Sequence, residues 1–157
     1  MLTTMTNRQT LLTIFGITTA VILGAYIFEY FGYAPCELCL LQRIPYYAAI
    51  SLCLVFASLP TSLQRSGLYV IGAIMLGSMI FGIYHSGVEW KWWQGPTTCT
   101  GGNITGGLPD LSKKAVMCDQ PAIRILGLSL AGWNAIISAA VSSLAFRKAY
   151  GSSSASQ

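Results

Sequence analysis

The chain has 157 residues, of which 54% are apolar and only 9% charged, with a net charge of +4. So little charge cannot cover the surface of a soluble domain of this size, and the small positive excess gives no reason to invoke a nucleic-acid partner. The composition points to lipid as the solvent.

Residues 11–30 form the first apolar run. At about 1.5 Å per helical residue, roughly 20 residues cross a hydrocarbon core of ~30 Å, so the run predicts a membrane-spanning helix. It is too long for the apolar region of a cleaved signal, and no A-x-A site follows, so a retained helix is expected. Three further runs, 44–60, 68–84 and 125–146, predict three more spans, with Glu29 the one charged side chain inside the four. The expected fold is an all-α membrane protein, a four-helix bundle forming a single domain, with a disordered tail at 151–157. Small residues at packing intervals suggest close helix approach: Gly16, Ala20 and Gly24, Ala73 with Gly77, and Ser78 with Gly82.

Basic residues near span ends favour the cytoplasm. Arg8, Arg65, Arg147 and Lys148 sort to one side, without Asp or Glu, whereas Glu29, Glu37, Glu89, Asp110 and Asp119 fall on the other, together with Arg43, Lys91, Lys113, Lys114 and Arg124. Both termini are therefore expected in the cytoplasm. The outer face carries two loops, 31–43 and 85–124, and the chemistry is expected there.

Cys36, Cys39, Cys99 and Cys118 all lie in those loops, and Cys53 alone within a span. In an oxidising compartment an even set of thiols should pair, and joining Cys36 to Cys39 and Cys99 to Cys118 places one pair in each loop. A C-x-x-C ring is too small to stabilise much and has the geometry of an exchanging pair. Cys39 lies near a predicted helix start, and a helical turn beginning there would put Arg43 on its face; both features favour a thiolate. Pro45 opposes this, because proline suits the first helical turn, which would start the helix at Ile44.

The segments P-C-E-L-C-L-L-Q-R, G-V-E-W-K-W-W-Q-G-P-T-T-C and I-L-G-L-S-L-A-G-W-N, with Cys118 between the last two, resemble the DsbB family, the quinone-linked disulfide bond formation proteins of bacterial inner membranes. The resemblance covers all four spans and both loops. It implies a relay in which Cys99 and Cys118 exchange with a periplasmic thioredoxin-fold thiol oxidase like DsbA, and Cys36 and Cys39 pass the electrons to ubiquinone or menaquinone. Such a partner sits near roughly −120 mV, so a dithiol acceptor could not hold the direction of flow, whereas a membrane quinone can.

Arg43 is expected at the quinone, stabilising the Cys39 thiolate. His85, at the outer end of the third span, could donate to a quinone carbonyl or be an ordinary interfacial histidine. Trp90, Trp92 and Trp93 read as an interfacial belt, Cys53 as a small apolar helix residue, and Asn134 as an interhelical hydrogen-bonding group. Gly101, Gly102, Gly106 and Gly107 suggest a flexible stretch around Cys99. Two other readings compete. One is a membrane thiol reductase of the vitamin K epoxide reductase type, whose C-x-x-C belongs in the last helices. The other is a non-enzymatic protein whose four outer cysteines hold structural zinc, although Cys99 and Cys118 are too widely spaced for a usual zinc module.

Overall fold

The computed structural model describes residues 5–96 and 117–154. Four helices carry the fold: α1 (Asn7–Tyr30), α2 (Glu37–Ala57), α3 (Thr61–Glu89) and α4 (Leu130–Ser154), with strands β1 (Arg124–Ile125) and β2 (Leu128–Ser129) before α4. The first three are long and apolar enough to cross a membrane. In α4 the polar residues Asn134, Ser138 and Ser142 face inward and are buried.

Outward-facing Leu23, Ile27, Val55 and Ile80 are more than half exposed. That pattern suits a bundle whose outer surface meets lipid, where interior and exterior can be equally apolar. Inside, Leu11, Ile14, Ala49, Leu68, Met75 and Val141 pack into one core. A polar seam crosses it. The Tyr46 hydroxyl pairs with Ser138 at 3.0 Å, Ser138 reaches Ser78 at 3.0 Å, and the Ser142 hydroxyl donates to the Gly72 carbonyl at 2.9 Å. These bonds satisfy groups that would be costly to leave unpaired away from water.

The small-residue expectation holds in part. A β-carbon on Gly82 would meet the Ala135 backbone nitrogen at 3.0 Å, so α3 and α4 approach closely there, beside buried Ser78. Gly16, Gly24 and Gly77 have open space where a β-carbon would lie, and Ala73 and Gly77 face outward.

Helix starts depart from the apolar runs for local reasons. Thr6 and Gln9 form a reciprocal capping box that starts α1 at Asn7. Helix α2 begins at Glu37, well before the expected 44, because the Cys36 sulfur accepts the Cys39 amide and caps the first turn. Pro45 consequently lies inside the helix, where it supplies no N–H for the Leu41 carbonyl. Helix α3 runs past residue 84 to Glu89, taking His85 into its last turns.

The expected span from 125 begins instead as a hairpin. Arg124 pairs with Ser129 and Ile125 with Leu128 around Leu126 and Gly127, both at positive φ, as a two-residue hairpin turn requires. The Ser129 hydroxyl then accepts the Gly132 amide and opens α4. At its far end α4 continues to Ser154, beyond the expected start of a disordered tail at 151. There the Arg65 side chain donates to the Ala149 carbonyl at 3.1 Å, binding α3 to α4 at the end opposite the cysteines.

Candidate functional site

The start of α2 places the C-x-x-C pair. Cys36 is the N-cap and Cys39 stands in the first turn, which brings the two sulfurs to 2.8 Å as free thiols in hydrogen-bonding contact. The pair stands here as the dithiol, the reduced form of the disulfide that the spacing predicts. Cys36 is buried in a cluster with Leu38 and Cys118, against Phe81 and Tyr84 of α3. Cys118 is disulfide-bonded. Cys99, its expected partner, lies outside the described residues, as do Asp110, Lys113, Lys114 and the glycines from 101 to 107.

His85 meets Cys36 from α3. Its Nε2 lies 3.6 Å from the Cys36 sulfur and 3.9 Å from Oε1 of Glu89, one helical turn on. His85 and Glu89 are both buried, and His85 Nδ1 and Glu89 Oε2 have no partner among the described residues. The Cys39 thiol donating to Cys36 pulls the Cys36 pKa down, and His85 adds to this against the opposing effect of burial; the result is about 5. The dithiol thus holds its negative charge on Cys36, at the positive end of the helix, whereas the sequence reading placed the thiolate on Cys39. The reason is the cap itself: Cys36 accepts the Cys39 amide, with the Cys39 sulfur and His85 beside it.

Cys39 faces elsewhere as well. It borders an open apolar cavity of about 350 Å³ lined by α1, α2, α4 and the hairpin, with Phe28, Tyr46, Trp133 and Ile137 among its walls. Arg43 lines the same cavity, on the expected face of α2. Its guanidinium, however, is anchored away from Cys39: both terminal nitrogens lie 3.0 Å from one Glu29 oxygen, and the group sits over the Tyr26 ring at 4.9 Å. The structure thus brings Cys39 and Arg43 to one cavity and sets His85 behind them, in a small pocket with Cys36 and Glu89 that excludes Arg43.

Several participants escaped the sequence reading. Gln42 lines the cavity, adjacent to Arg43 in sequence, and Trp133 lines it too, held by its Nε1 donating to the Ile125 carbonyl at 3.0 Å. Glu89 becomes a neighbour of His85 only because α3 extends to it. Asn134 accepts Ser138 at 3.3 Å within its own helix, and it also borders the cavity. Trp90, Trp92 and Trp93 remain largely exposed and form an aromatic cluster on Tyr84 outside the cavity. Cys53 is buried in the bundle core.

The four-cysteine zinc reading fails, because Cys118 is engaged in a disulfide. Cys36, Cys39 and His85 do bring three donor atoms within 4.8 Å of one another, a set that could hold a soft cation only while the thiols are reduced. The vitamin K epoxide reductase reading expects its pair in the last helices, whereas here it starts the second.

Residues 7–147 match the family model for disulfide bond formation protein DsbB. The chain is 34% identical over 142 residues to the uncharacterized protein RP370 of Rickettsia prowazekii (strain Madrid E), covering 83% of this chain and 82% of that protein. It is 29% identical over 126 residues to disulfide bond formation protein B of Albidiferax ferrireducens, covering 73% and 70% respectively. No solved structure matches.

Proposed function

This chain belongs to the DsbB family, a multi-pass protein of the bacterial inner membrane that generates disulfides, and from that premise we propose how its own residues divide the work. Cys99 and Cys118 take electrons from a reduced, DsbA-like thioredoxin-fold partner in the periplasm. Cys36 and Cys39 pass them to a membrane quinone held in the apolar cavity. Both termini then face the cytoplasm, as the basic residues at the Arg65 end suggest.

In the first exchange, a partner thiolate attacks Cys99 and releases Cys118 as a thiolate; the partner's second thiolate resolves the mixed disulfide, and the partner leaves oxidised. Cys118 then attacks Cys36 and releases Cys39. Cys99 attacks Cys118 in turn, which restores the Cys99–Cys118 bond and frees Cys36 as a thiolate. The two electrons now reside on the Cys36/Cys39 dithiol, the state in which Cys36 and Cys39 are free and Cys118 is bonded.

The quinone supplies the terminal oxidant, accepting two electrons and two protons and departing as quinol. Cys36, already anionic beside His85, forms the disulfide bond to the Cys39 sulfur 2.8 Å away as the Cys39 S–H bond breaks, its proton and two electrons passing toward the cavity to the quinone. The second proton of the quinol comes from water, while His85 stands beside the Cys36 anion and Arg43 presents fixed positive charge at the cavity wall.

One observation carries this reading. Cys39 touches both an apolar cavity and Cys36, and Cys36 in turn packs with Cys118, so the sulfurs are in the order the relay needs. The test supplies purified protein with a reduced thioredoxin-fold oxidase and follows quinone absorbance. Quinone reduction matched by partner oxidation is expected; partner oxidation that stops once the protein's own two disulfides are used up, with quinone present, would overturn the quinone assignment.

A further inference from the structure

The relay accounts for the sulfurs and leaves the space behind them unused. A small cavity of about 20 Å³ lies between the start of α2, the last turns of α3 and the segment that leads into the hairpin. That is room for one water-sized occupant, which needs roughly 10–15 Å³. Cys36, Cys39, His85 and Glu89 line it, and exposed Gln120 and Ala122 are also on its wall, so it is reached from the outer surface. Among the described residues its lining holds no lysine or arginine, although the Cys36 thiolate and the Glu89 carboxyl both face this space.

The donor atoms are those of a metal site. The sulfurs of Cys36 and Cys39 and a ring nitrogen of His85 all lie within 4.8 Å of one another. His85 Nε2 is 3.6 Å from the Cys36 sulfur, and Glu89 Oε1 is 3.9 Å from the same nitrogen. Two thiolates and an imidazole are the ligands that a zinc-class ion prefers, and a carboxylate or a water completes the tetrahedron. Charge selects the valence. A divalent ion with two thiolates and a neutral imidazole is neutral as a unit and can be buried at least cost, whereas a monovalent ion leaves one negative charge behind. The oxidised pair offers no such site, because both sulfurs are then joined to each other and carry no charge.

We propose that in the reduced chain Cys36, Cys39 and His85, with Glu89 beside them, form a site for one divalent cation of the zinc class, whose binding arrests the enzyme as the dithiol. The ion takes the Cys36 thiolate directly and displaces the proton of the Cys39 thiol to water; no electrons move. Tetrahedral Zn–S bonds of ~2.3 Å hold two sulfurs ~3.8 Å apart, far beyond the ~2.05 Å of a disulfide, so the pair cannot close while the ion stays. From the 2.8 Å seen here the sulfurs must part by ~1 Å, and half-buried Cys39 is the less enclosed of the two. The brake therefore acts on the reduced enzyme alone, and it does not depend on what the terminal oxidant is.

The experiment uses the full-length Cys99→Ser/Cys118→Ser protein in lipid nanodiscs, reduced without air, with cobalt(II) as the coloured stand-in for zinc. One cobalt per chain is expected, with the visible bands of a tetrahedral thiolate site, bleached by zinc and absent once the pair has been oxidised. His85→Ala should change the bands and raise the cobalt dissociation constant about tenfold or more, since removing even a residue behind a ligand costs about 10–100-fold. Stoichiometric zinc should also stop oxidation of the reduced pair by diamide, which accepts two electrons and two protons without any quinone, and a chelator should restore it.

Unchanged bands and affinity in His85→Ala would reduce the site to chelation by a bare dithiol and overturn the proposal. So would cobalt binding that persists in the oxidised protein, or no binding at all. Diamide oxidation that runs at the same rate with zinc bound would overturn the arrest. Should His85→Ala fail to fold, His85→Phe, which keeps a ring and removes its nitrogens, decides in its place.

Discussion

The two sulfurs of one C-x-x-C look onto opposite surroundings. Cys36 is enclosed by His85, Leu38 and Cys118, accepts the Cys39 amide and lies 2.8 Å from the Cys39 sulfur. Cys39 borders an apolar cavity whose polar wall groups come from Arg43, Gln42 and Asn134. The first environment selects which thiol is ionised, and the second selects what can approach. A pair three residues apart can thus act as a junction between protein disulfides and a lipid-soluble oxidant, because the helix N-cap turns one sulfur inward and the first turn presents the other to the cavity.

The largest effects should come from removing a sulfur. Cys36→Ser and Cys39→Ser are each expected to lower quinone-linked partner oxidation to background, since neither can be replaced by a neighbouring group. Cys118→Ser should also stop turnover, because no Cys99–Cys118 bond remains for the partner to attack, whereas the native chain given a reduced partner that lacks its second cysteine should leave a covalent complex between Cys99 and the partner, visible on a non-reducing gel. Failure to accumulate that complex with reduced partner in excess would remove Cys99 from the partner-facing role.

On the cavity side, Arg43→Met should lower quinone-dependent turnover roughly tenfold or more, corresponding to the loss of a charge-assisted contact worth about 1.5 to 3 kcal/mol. Stoichiometric disulfide exchange between oxidised protein and reduced partner should survive. Arg43→Lys should be intermediate, because lysine keeps the charge and loses the planar fork. Equal loss of both activities would show that Arg43 chiefly anchors α2 to Glu29 of α1.

On the Cys36 side the effect should be smaller and confined to acid. A lowered pKa means that Cys36 is a thiolate above about 5 and becomes protonated as pH falls through that value. His85→Ala removes one of the groups holding it down, so the midpoint should rise by about one pH unit. Turnover near neutral pH would then change little, while at about pH 5.5 it would fall roughly threefold. Thiolate absorbance of the reduced Cys99→Ser/Cys118→Ser protein, with and without His85→Ala, measures the midpoint directly. An unmoved midpoint would leave His85 as packing alone.

Least affected should be Trp92→Phe. Trp92 is largely exposed and lies outside the cavity, so stability should shift by no more than about 0.5 kcal/mol and the quinone KM should stay the same. A raised KM would bring the aromatic cluster back to the quinone side of the comparison.

The sequence by itself determined the solvent, the helical class, the pairing of a C-x-x-C with a nearby arginine and the family, because each of these rests on composition, run length or a local spacing. It also located Cys36, Cys39, Arg43 and His85 near one end of the bundle. Tertiary structure alone decided which of them meet. Arg43 shares a helical face with Cys39, yet its guanidinium goes to Glu29, a choice that depends on how α1 lies against α2. His85 reaches Cys36 instead of the cavity because α3 packs behind the start of α2 and continues to Glu89. The start of α2 was hidden by Pro45, whose preference for a first turn was outweighed by the Cys36 cap. Gln42, Trp133 and Asn134 were unremarkable in one dimension: a ligand-facing amide and a bundle-facing amide occupy the same kind of helical position, and only the packing of α4 and the hairpin against α1 and α2 leaves a cavity beside them.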